Sequence, residues 1–192
     1  MSLSKITMSL LLFALPFIVM GQRKVNSKDS TDIKNQIEGF YSWYIDMIKG
    51  GRLNSDFNPE FVRRSDGFTT LDFTQYRDGL RKFGFSELFI QRRIDWYEGC
   101  LRYLNKILYD KISQLKDLDE FESINCDLRN RYEWTGGMEP KDSAQLWSLK
   151  LMDKKTIIGN VIFTSYAKSN GRAIVTLKKI QKQWQVDNLV LE

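Results

Sequence analysis

The clearest pattern in the chain is an apolar stripe that repeats every three or four residues between positions 30 and 50. Its members are Ile33, Ile37, Phe40, Tyr44 and Met47/Ile48. This period places them on one face of an α-helix. A hydroxyl residue, Ser30 or Thr31, predicts the start of the helix, and the glycine pair at 50–51 predicts its end. The pattern therefore indicates an amphipathic helix with one buried face.

Two further helices are predicted in the middle of the chain. Asp72 is the expected cap of a short helix that stops at Gly84, and Ser86 starts what we expect to be the longest helix. The apolar stripe of that helix is Ile90, Ile94, Tyr97, Leu101, Leu104 and Leu108. Residues 58–60, with the order Asn-Pro-Glu, predict a capped helical turn. Residues 117–124 predict another short helix that begins with a capping box.

Four strand-like runs rich in β-branched and aromatic residues follow. They cover residues 144–152, 157–167, 172–180 and 184–191. The turn signal at 169–171 (Ser-Asn-Gly) and the short connection at 181–183 favour an antiparallel meander. Helices first and strands last indicate an α+β fold, with the N-terminal helices on one face of a curved four-stranded antiparallel sheet. Without an internal repeat or linker, residues 30–192 are expected to form one domain.

Residues 127–142, between the helices and the strands, have no clear period. We interpret them as a long ordered loop, a feature that is often functional. Trp134 can stack on a sugar or an aromatic ligand, and the glycines allow close backbone approach or a positive φ. The candidate ligand- or partner-binding residues are Tyr132, Glu133, Trp134, Gly136, Gly137 and Glu139. In the alternative, Trp134 fills the open end of the core and the glycines only turn the chain.

The first 21 residues have the pattern of a secretory signal peptide. Lys5 is the only charge, an apolar run covers residues 8–20, and Gly21 is a small residue at the break. The run is short for a transmembrane helix and contains Pro16. We therefore expect cleavage after Gly21 and a periplasmic or secreted protein with no membrane span. An uncleaved N-terminal anchor is the alternative.

If the protein is exported, its two cysteines can form a disulfide. In an oxidising compartment Cys100 and Cys126 can close a disulfide, which would tie the longest helix to the segment that follows it. A bridge of this loop length stabilises a fold by about 3 kcal/mol. The alternative is a pair of buried free thiols that pack as small apolar groups.

Composition narrows the chemistry that the chain can perform. Its 192 residues, 42% hydrophobic and 28% charged, are typical of one globular domain. The absence of histidine excludes histidine-based catalytic triads and histidine-ligated metals, and two cysteines are too few for a four-thiolate zinc or iron–sulfur site. We therefore expect no metal, no cofactor and no catalytic residues.

The net charge of +5 raises the question of a nucleic-acid partner. The basic residues, however, occur as scattered pairs that do not alternate with aromatic residues along one element. The pairs are Arg63-Arg64, Arg92-Arg93, Lys154-Lys155 and Lys178-Lys179. Nucleic-acid binding is therefore not expected. Weak attraction to acidic partners or to anionic polymers of the cell envelope fits this distribution better.

Three local strings resemble small secreted bacterial proteins grouped as domain-of-unknown-function family 3828. The strings are Phe40-Tyr41-Ser42-Trp43-Tyr44, Cys126-Asp127-Leu128-Arg129-Asn130 and Trp184-Gln185-Val186-Asp187-Asn188-Leu189. The similarity spans most of residues 30–192. It implies the nuclear-transport-factor-like, or cystatin-like, cone fold and an extracytoplasmic location, and it brings no catalytic residues. Because cone domains often pair through the open face of the sheet, it also makes a homodimer an expectation.

These observations predict a secreted or periplasmic binding protein that is not an enzyme. Its small ligand or protein partner would be held at the sheet face and the loop at 127–142. One alternative is a periplasmic immunity protein that inhibits a cell-wall amidase toxin, since such proteins look similar in size and design. Another is a small isomerase or dehydratase that uses a carboxylate in a pocket. Its candidate residues are Asp127, Glu133 and Asp142, with Tyr132 as a donor.

Overall fold

The computed structural model describes residues 24–50, 58–112, 114, 134–136, 140–165 and 171–192. Within these ranges the chain forms four helices, a two-stranded sheet and a four-stranded antiparallel sheet. The helices are α1 (Ser27–Lys49), α2 (Thr74–Lys82), α3 (Glu87–Leu104) and α4 (Tyr109–Ile112). The strands are β1 (Glu60–Arg63), β2 (Thr69–Asp72), β3 (Ser143–Asp153), β4 (Thr156–Thr164), β5 (Arg172–Ile180) and β6 (Gln183–Leu191). The large sheet has the order β3-β4-β5-β6, so the predicted α+β class and antiparallel meander are confirmed.

Helix α1 has the predicted buried face but a different start. Its N-cap is Asn26, whose side-chain oxygen accepts a hydrogen bond from the Asp29 amide at 2.8 Å. Ser30 and Thr31, the predicted caps, lie inside the helix, because an asparagine satisfies first-turn amides as well as a hydroxyl residue does. The buried residues of α1 are Ile33, Ile37, Phe40, Tyr41, Tyr44, Ile45 and Met47.

Residues 58–60 do not form the predicted helical turn. Glu60 instead begins β1, which pairs antiparallel with β2. The hairpin turn contains Gly67 with a φ of +84°, a value that glycine adopts without strain. The prediction was wrong because an Asn-Pro-Glu sequence fits both a helix start and an extended segment. Pairing with a strand nine residues further along is not visible in that local pattern.

Of the two predicted helix caps, Ser86 is confirmed and Asp72 is not, because the N-cap of α2 is Phe73, which makes no side-chain capping hydrogen bond. Asp72 lies one position before that N-cap, and its carboxylate accepts hydrogen bonds from the amide and the hydroxyl of Thr74, the first residue of α2, at 2.8 and 2.7 Å. Ser86 is the N-cap of α3, and its hydroxyl oxygen accepts a hydrogen bond from the Phe89 amide at 3.1 Å. Ser86 therefore fixes where α3 begins, whereas Asp72 binds the first residue of α2 from outside the cap position.

Helix α3 is shorter than predicted. It has 18 residues against the 23 of α1, so among the described residues it is not the longest helix. It ends at Leu104, and Leu108 is 46% exposed instead of continuing the buried stripe. The connection after Leu104 turns away because the Thr69 amide, on β2, donates to the Ile107 carbonyl at 2.9 Å.

The helices cover one face of the four-stranded sheet. Burial alternates along β4, where Ile157 and Phe163 are fully buried while Ile158 and Ile162 are half-buried. The ring of Tyr41 on α1 packs edge-on against Phe163, with 4.9 Å between the ring centroids. A sheet with this alternation has one face in the core and one face toward solvent.

Bulges in two strands place single residues outside this alternation. In β3 the extra residue is Trp147, whose side chain is 69% exposed. In β6 the pairing with β5 skips Asp187, so Val186 and Asp187 are buried in succession. A bulge re-aims the side chain of its extra residue. In β6 the extra residue is a buried aspartate, whose carboxylate accepts a hydrogen bond from Ser86 at the start of α3.

A short backbone pairing joins the helices to the sheet. The Val186 amide donates to the Gly84 carbonyl at 2.9 Å, and the Ser86 amide donates to the Val186 carbonyl at 2.8 Å. Phe85, between them, forms a parallel bridge with Val186. Gly84 has a φ of +73°, and its carbonyl also accepts a hydrogen bond from Gln36 Nε2 at 3.0 Å. Gly84, in the α2–α3 connection, is therefore the residue at which this connection contacts both α1 and β6.

Several predictions concern segments outside the described residues. These are the signal peptide at 1–21, the short helix at 117–124, most of the loop at 127–142 and the turn signal at 169–171, of which only Gly171 is described. Cys100 is buried on α3, but Cys126 lies in an undescribed segment, so the disulfide stays a prediction. Within the described ranges, no helix combines the length and apolar character needed to cross a membrane.

Replacing Gly84 with alanine is expected to destabilise the domain by about 2 kcal/mol or more, since a left-handed conformation alone costs an L-residue roughly 1–2 kcal/mol. The added Cβ would also lie 2.4 Å from Gln36 Nε2. Gly39→Ala on α1 is the control, because its Cβ meets nothing within 4 Å and the helix should gain about 0.5–1 kcal/mol. Urea denaturation measures both changes. An unchanged midpoint for Gly84→Ala would contradict the role of this junction.

Candidate functional site

Of the six predicted binding residues, the structure describes Trp134 and Gly136. The other four lie outside the described residues: Tyr132, Glu133, Gly137 and Glu139. Gly136 has a φ of +67°, which agrees with the predicted positive φ. A Cβ at this position would lie 3.7 Å from the Leu191 side chain. Gly136 therefore turns the chain beside the end of β6.

Trp134 is 3% exposed and belongs to the hydrophobic core. Its ring packs edge-on against Phe40 and Phe85, with centroid distances of 5.4 and 5.5 Å, and lies 6.0 Å from the ring of Phe89. The same residue also lines a groove on the surface. Trp134 is therefore a core side chain that forms part of the groove wall, and its direct contact with a ligand stays a prediction.

This groove, with a volume of about 360 Å³, lies between α3 and β6. The residues that line it are Phe89, Arg92, Arg93 and Trp96 of α3, Asn188, Leu189 and Leu191 of β6, and Trp134. The four α3 residues are spaced by three, one and three positions, which places them on one side of the helix. The groove thus combines an apolar floor with two guanidinium groups.

Aromatic rings surround Arg93. Its guanidinium carbon lies 5.5 Å from the ring centroid of Trp96, 5.8 Å from that of Tyr97 and 5.4 Å from that of Trp134. Its Nε also donates to the Tyr76 hydroxyl at 3.4 Å. Each cation–π contact contributes about 0.5–2 kcal/mol and limits the freedom of the side chain. The guanidinium is therefore held in place before any partner arrives.

Arg92 is held from the sheet side. Its Nη2 donates to the carbonyl oxygen of Asp187. The Asp187 carboxylate, 8% exposed, accepts a hydrogen bond from Ser86 Oγ at 3.1 Å and pairs with Lys178 Nζ at 2.7 Å. The bulge that buries Asp187 therefore ties the start of α3 to β6 and fixes the distance between the two walls of the groove.

An exposed apolar edge borders the groove. Trp96 is 47% exposed, and Leu88, about two helical turns before it, is 55% exposed. Arg92 lies between them on the same side of α3. Tryptophan and arginine are the residue types most enriched at the energetic centres of protein interfaces. This edge and the groove together are the candidate binding surface.

A second, polar groove of about 870 Å³ lies between α1, the α2–α3 connection and the β5–β6 turn. Lys179 pairs there with Asp29 at 3.1 Å, and Arg81 pairs with Glu87 at 2.7 Å. Burial acts to raise the pKa of Asp29, but hydrogen bonds from Lys179 and Asn26 outweigh it and hold that pKa below its ordinary value. Among the described residues, this groove does not have the combined aromatic and leucine lining found between α3 and β6, and we treat it as the weaker candidate.

Among the described residues, side chains fill the space between α1 and the sheet. A cavity there has a volume of about 10 Å³, close to the least space that holds one water molecule. Asp142, a candidate for the enzymatic alternative, does not line it and instead pairs with Lys49 at 3.3 Å. Asp127, Glu133 and Tyr132 lie outside the described residues. In the described part of the chain, no three carboxylate or thiolate side chains are grouped as metal ligands.

Comparison with known proteins does not assign the chain to a family. No protein-family model, no curated protein and no solved structure matches it. The resemblance to family 3828 therefore stays a prediction that rests on the residues quoted above. The structure itself establishes an α+β domain with a four-stranded antiparallel sheet and an arginine-containing groove beside β6.

The groove residues on α3 are not among the binding residues predicted from the sequence. Arg92 and Arg93 appear there only as one of several scattered basic pairs, and Trp96 lies off the buried stripe of the helix. One signal was available, namely two large apolar residues, Leu88 and Trp96, on the otherwise polar side of an amphipathic helix. Such residues gain nothing from the core and indicate a second surface.

Truncation of Trp134 to alanine is expected to lower the free energy of unfolding by about 3–5 kcal/mol, because it leaves a large cavity in the core. Trp147→Ala is the matched control, and with 69% exposure it should change stability by about 0.5 kcal/mol or less. Guanidinium denaturation followed by circular dichroism compares the two. Equal stability of both variants would show that Trp134 is not a core residue.

Replacing Tyr41 with phenylalanine is expected to stabilise the domain by about 1 kcal/mol, since an unpaired buried polar group is unfavourable. Tyr41 is 1% exposed, its hydroxyl has no hydrogen-bond partner among the described residues, and burial raises the pKa of this hydroxyl well above its ordinary value. Tyr76→Phe is the control, because it loses the hydrogen bond from Arg93 and should be destabilised. A lower melting temperature for Tyr41→Phe would contradict the expectation.

Proposed function

We propose that this protein is an extracytoplasmic binding protein, not an enzyme, and that it holds its partner in the groove between α3 and β6. The observation that carries the proposal is the guanidinium of Arg93, fixed by three aromatic rings, one of which is the half-exposed ring of Trp96. Groups that are already ordered lose little side-chain entropy on binding. Anchored arginine and tryptophan side chains are therefore suited to recognition.

The proposal also includes a cone-shaped fold and a location outside the cytoplasm. Helices on one face of an antiparallel meander have the layout of the nuclear-transport-factor-like, or cystatin-like, cone, and bulges such as those in β3 and β6 bend a sheet. The resemblance to the secreted bacterial family 3828 implies the same fold. A signal peptide at 1–21 would then deliver the domain to the periplasm or beyond, where the predicted Cys100–Cys126 disulfide can form.

A second candidate function is immunity against a cell-wall amidase toxin. The exposure of Leu88 and Trp96, at 55% and 47%, favours it, because a protein partner can reach a protruding edge whereas small ligands are usually enclosed. On the described residues, no observation favours the isomerase or dehydratase alternative. Two of its carboxylate candidates, Asp127 and Glu133, lie outside them.

Site-specific photocrosslinking in the native host tests the proposal. Benzoylphenylalanine replaces Leu88 in one variant and Trp147, on the opposite edge strand of the sheet, in the control; both positions are exposed. We expect a defined adduct at position 88 and none at position 147. Adding Arg92→Glu to the first variant should reduce the adduct about tenfold, the effect of losing one moderately strong contact.

The position and the mass of the adduct decide between the possible partners. A protein adduct at position 88 supports a partner that binds along the groove and its exposed edge, and the mass of the adduct identifies that partner. An adduct that contains a cell-wall amidase selects the immunity function. No adduct at position 88, or equal adducts at positions 88 and 147, contradicts the proposed site.

A further inference from the structure

We infer that the groove between α3 and β6 recognises a protein segment in which a large apolar side chain is flanked by carboxylates. The inference rests on the proposed function and names the chemistry of the partner. Three properties of the groove carry it: its one-sided charge, its apolar floor, and the apolar edge that continues along α3 beyond it.

The charge of the groove is one-sided. Its lining includes Arg92 and Arg93 and, among the described residues, no carboxylate. A guanidinium has five N–H donors, of which Arg92 uses one on the Asp187 carbonyl. Its planar fork matches a carboxylate with two parallel hydrogen bonds, which are stronger than neutral ones. A partner with one or more acidic side chains complements this lining.

The floor of the groove requires an apolar group as well. The aromatic rings of Phe89 and Trp134 lie beside the aliphatic side chains of Leu189 and Leu191. Burying apolar surface against them contributes roughly 25 cal/mol per Å², a gain that a small hydrophilic anion cannot provide. At about 360 Å³ the groove is at the lower end of the usual range for ligand sites, roughly 300–1,000 Å³. It therefore suits a bulky side chain of a short segment.

The exposed edge of α3 favours a protein segment over a free small molecule. Trp96 stands at the rim, and Leu88 extends the apolar surface about two helical turns away from it. A ligand confined to the groove would leave Leu88 in water. A peptide chain that lies along α3 can cover both residues and place a carboxylate near Arg92 between them, which is the centre-and-rim arrangement of protein interfaces.

Peptide binding measured by fluorescence anisotropy tests the inference. The probes are fluorescein-labelled decapeptides with a central leucine, phenylalanine or tryptophan flanked by glutamates. Control peptides carry lysines in place of the glutamates, or serine in place of the central residue. We expect saturable binding of the acidic apolar peptides only. Added salt should weaken this binding, because the screening length falls to roughly 10 Å at 0.1 M salt.

Variants of the full chain locate the binding. Arg92→Glu and Trp96→Ala should each weaken the acidic apolar peptides by about tenfold or more, as central interface residues do. Arg92→Lys keeps the positive charge but loses the planar guanidinium, so it should reduce the affinity less than Arg92→Glu does. This variant replaces Arg92→Glu in the test if the charge reversal unfolds the protein. Arg102→Glu is the matched control, because Arg102 is on the same helix, stacks on Tyr103 and does not line the groove. It should bind as the parent protein does.

The inference is overturned by any of three results. Lysine peptides that bind as tightly as the glutamate peptides would remove the charge requirement, and serine-centred peptides that do so would remove the apolar requirement. Displacement of the peptides by free acetylglutamate as effectively as by unlabelled peptide would show that the site takes a small anion. If no peptide binds while the position-88 adduct forms, the inference fails and the proposed function stands. If neither occurs, both fail.

Discussion

Two backbone hydrogen bonds between residues 84–86 and Val186 hold the helical part of the domain against the sheet. Helix α3 starts immediately after this pairing, and the bulge of β6 follows it on the other side. The Ser86 hydroxyl caps α3 and also donates to the Asp187 carboxylate, so one side chain positions both the helix and the bulge. Because the groove lies between α3 and β6, its width is a consequence of this junction.

The groove and the core share a wall. The ring of Trp134 fills the space beside Phe40 and Phe85, and its face supports the guanidinium of Arg93. A change at Trp134 therefore alters folding and binding together. Trp96 contacts the same guanidinium from the solvent side and is about half exposed, so at that position recognition can be separated from stability. The ordering of Arg93 is thus supplied largely by residues that the fold already requires.

Features with a local cause could be predicted from this sequence, whereas features that depend on distant residues could not. The stripe of α1, the cap at Ser86 and the four strands each follow from a period or a hydroxyl within a few residues. The hairpin that begins at Glu60 depends on a partner strand, and the helical signal at 58–60 could not reveal it. The loop that was singled out contains Trp134 and Gly136. Arg92, however, meets Asp187 across a separation of 95 residues, and no short pattern records such a contact.

Folding alone does not explain the surface along α3. Single exposed apolar residues are ordinary on any protein, and Leu108, Trp147 and Met152 fit that description because they lie outside α3. Leu88 and Trp96 differ in sharing one side of one helix, with Arg92 between them and an apolar groove beside them. Polar residues there would keep α3 equally helical and its buried stripe unchanged. A surface that the fold does not need, and whose cations are already held in place, is best explained by something that binds to it.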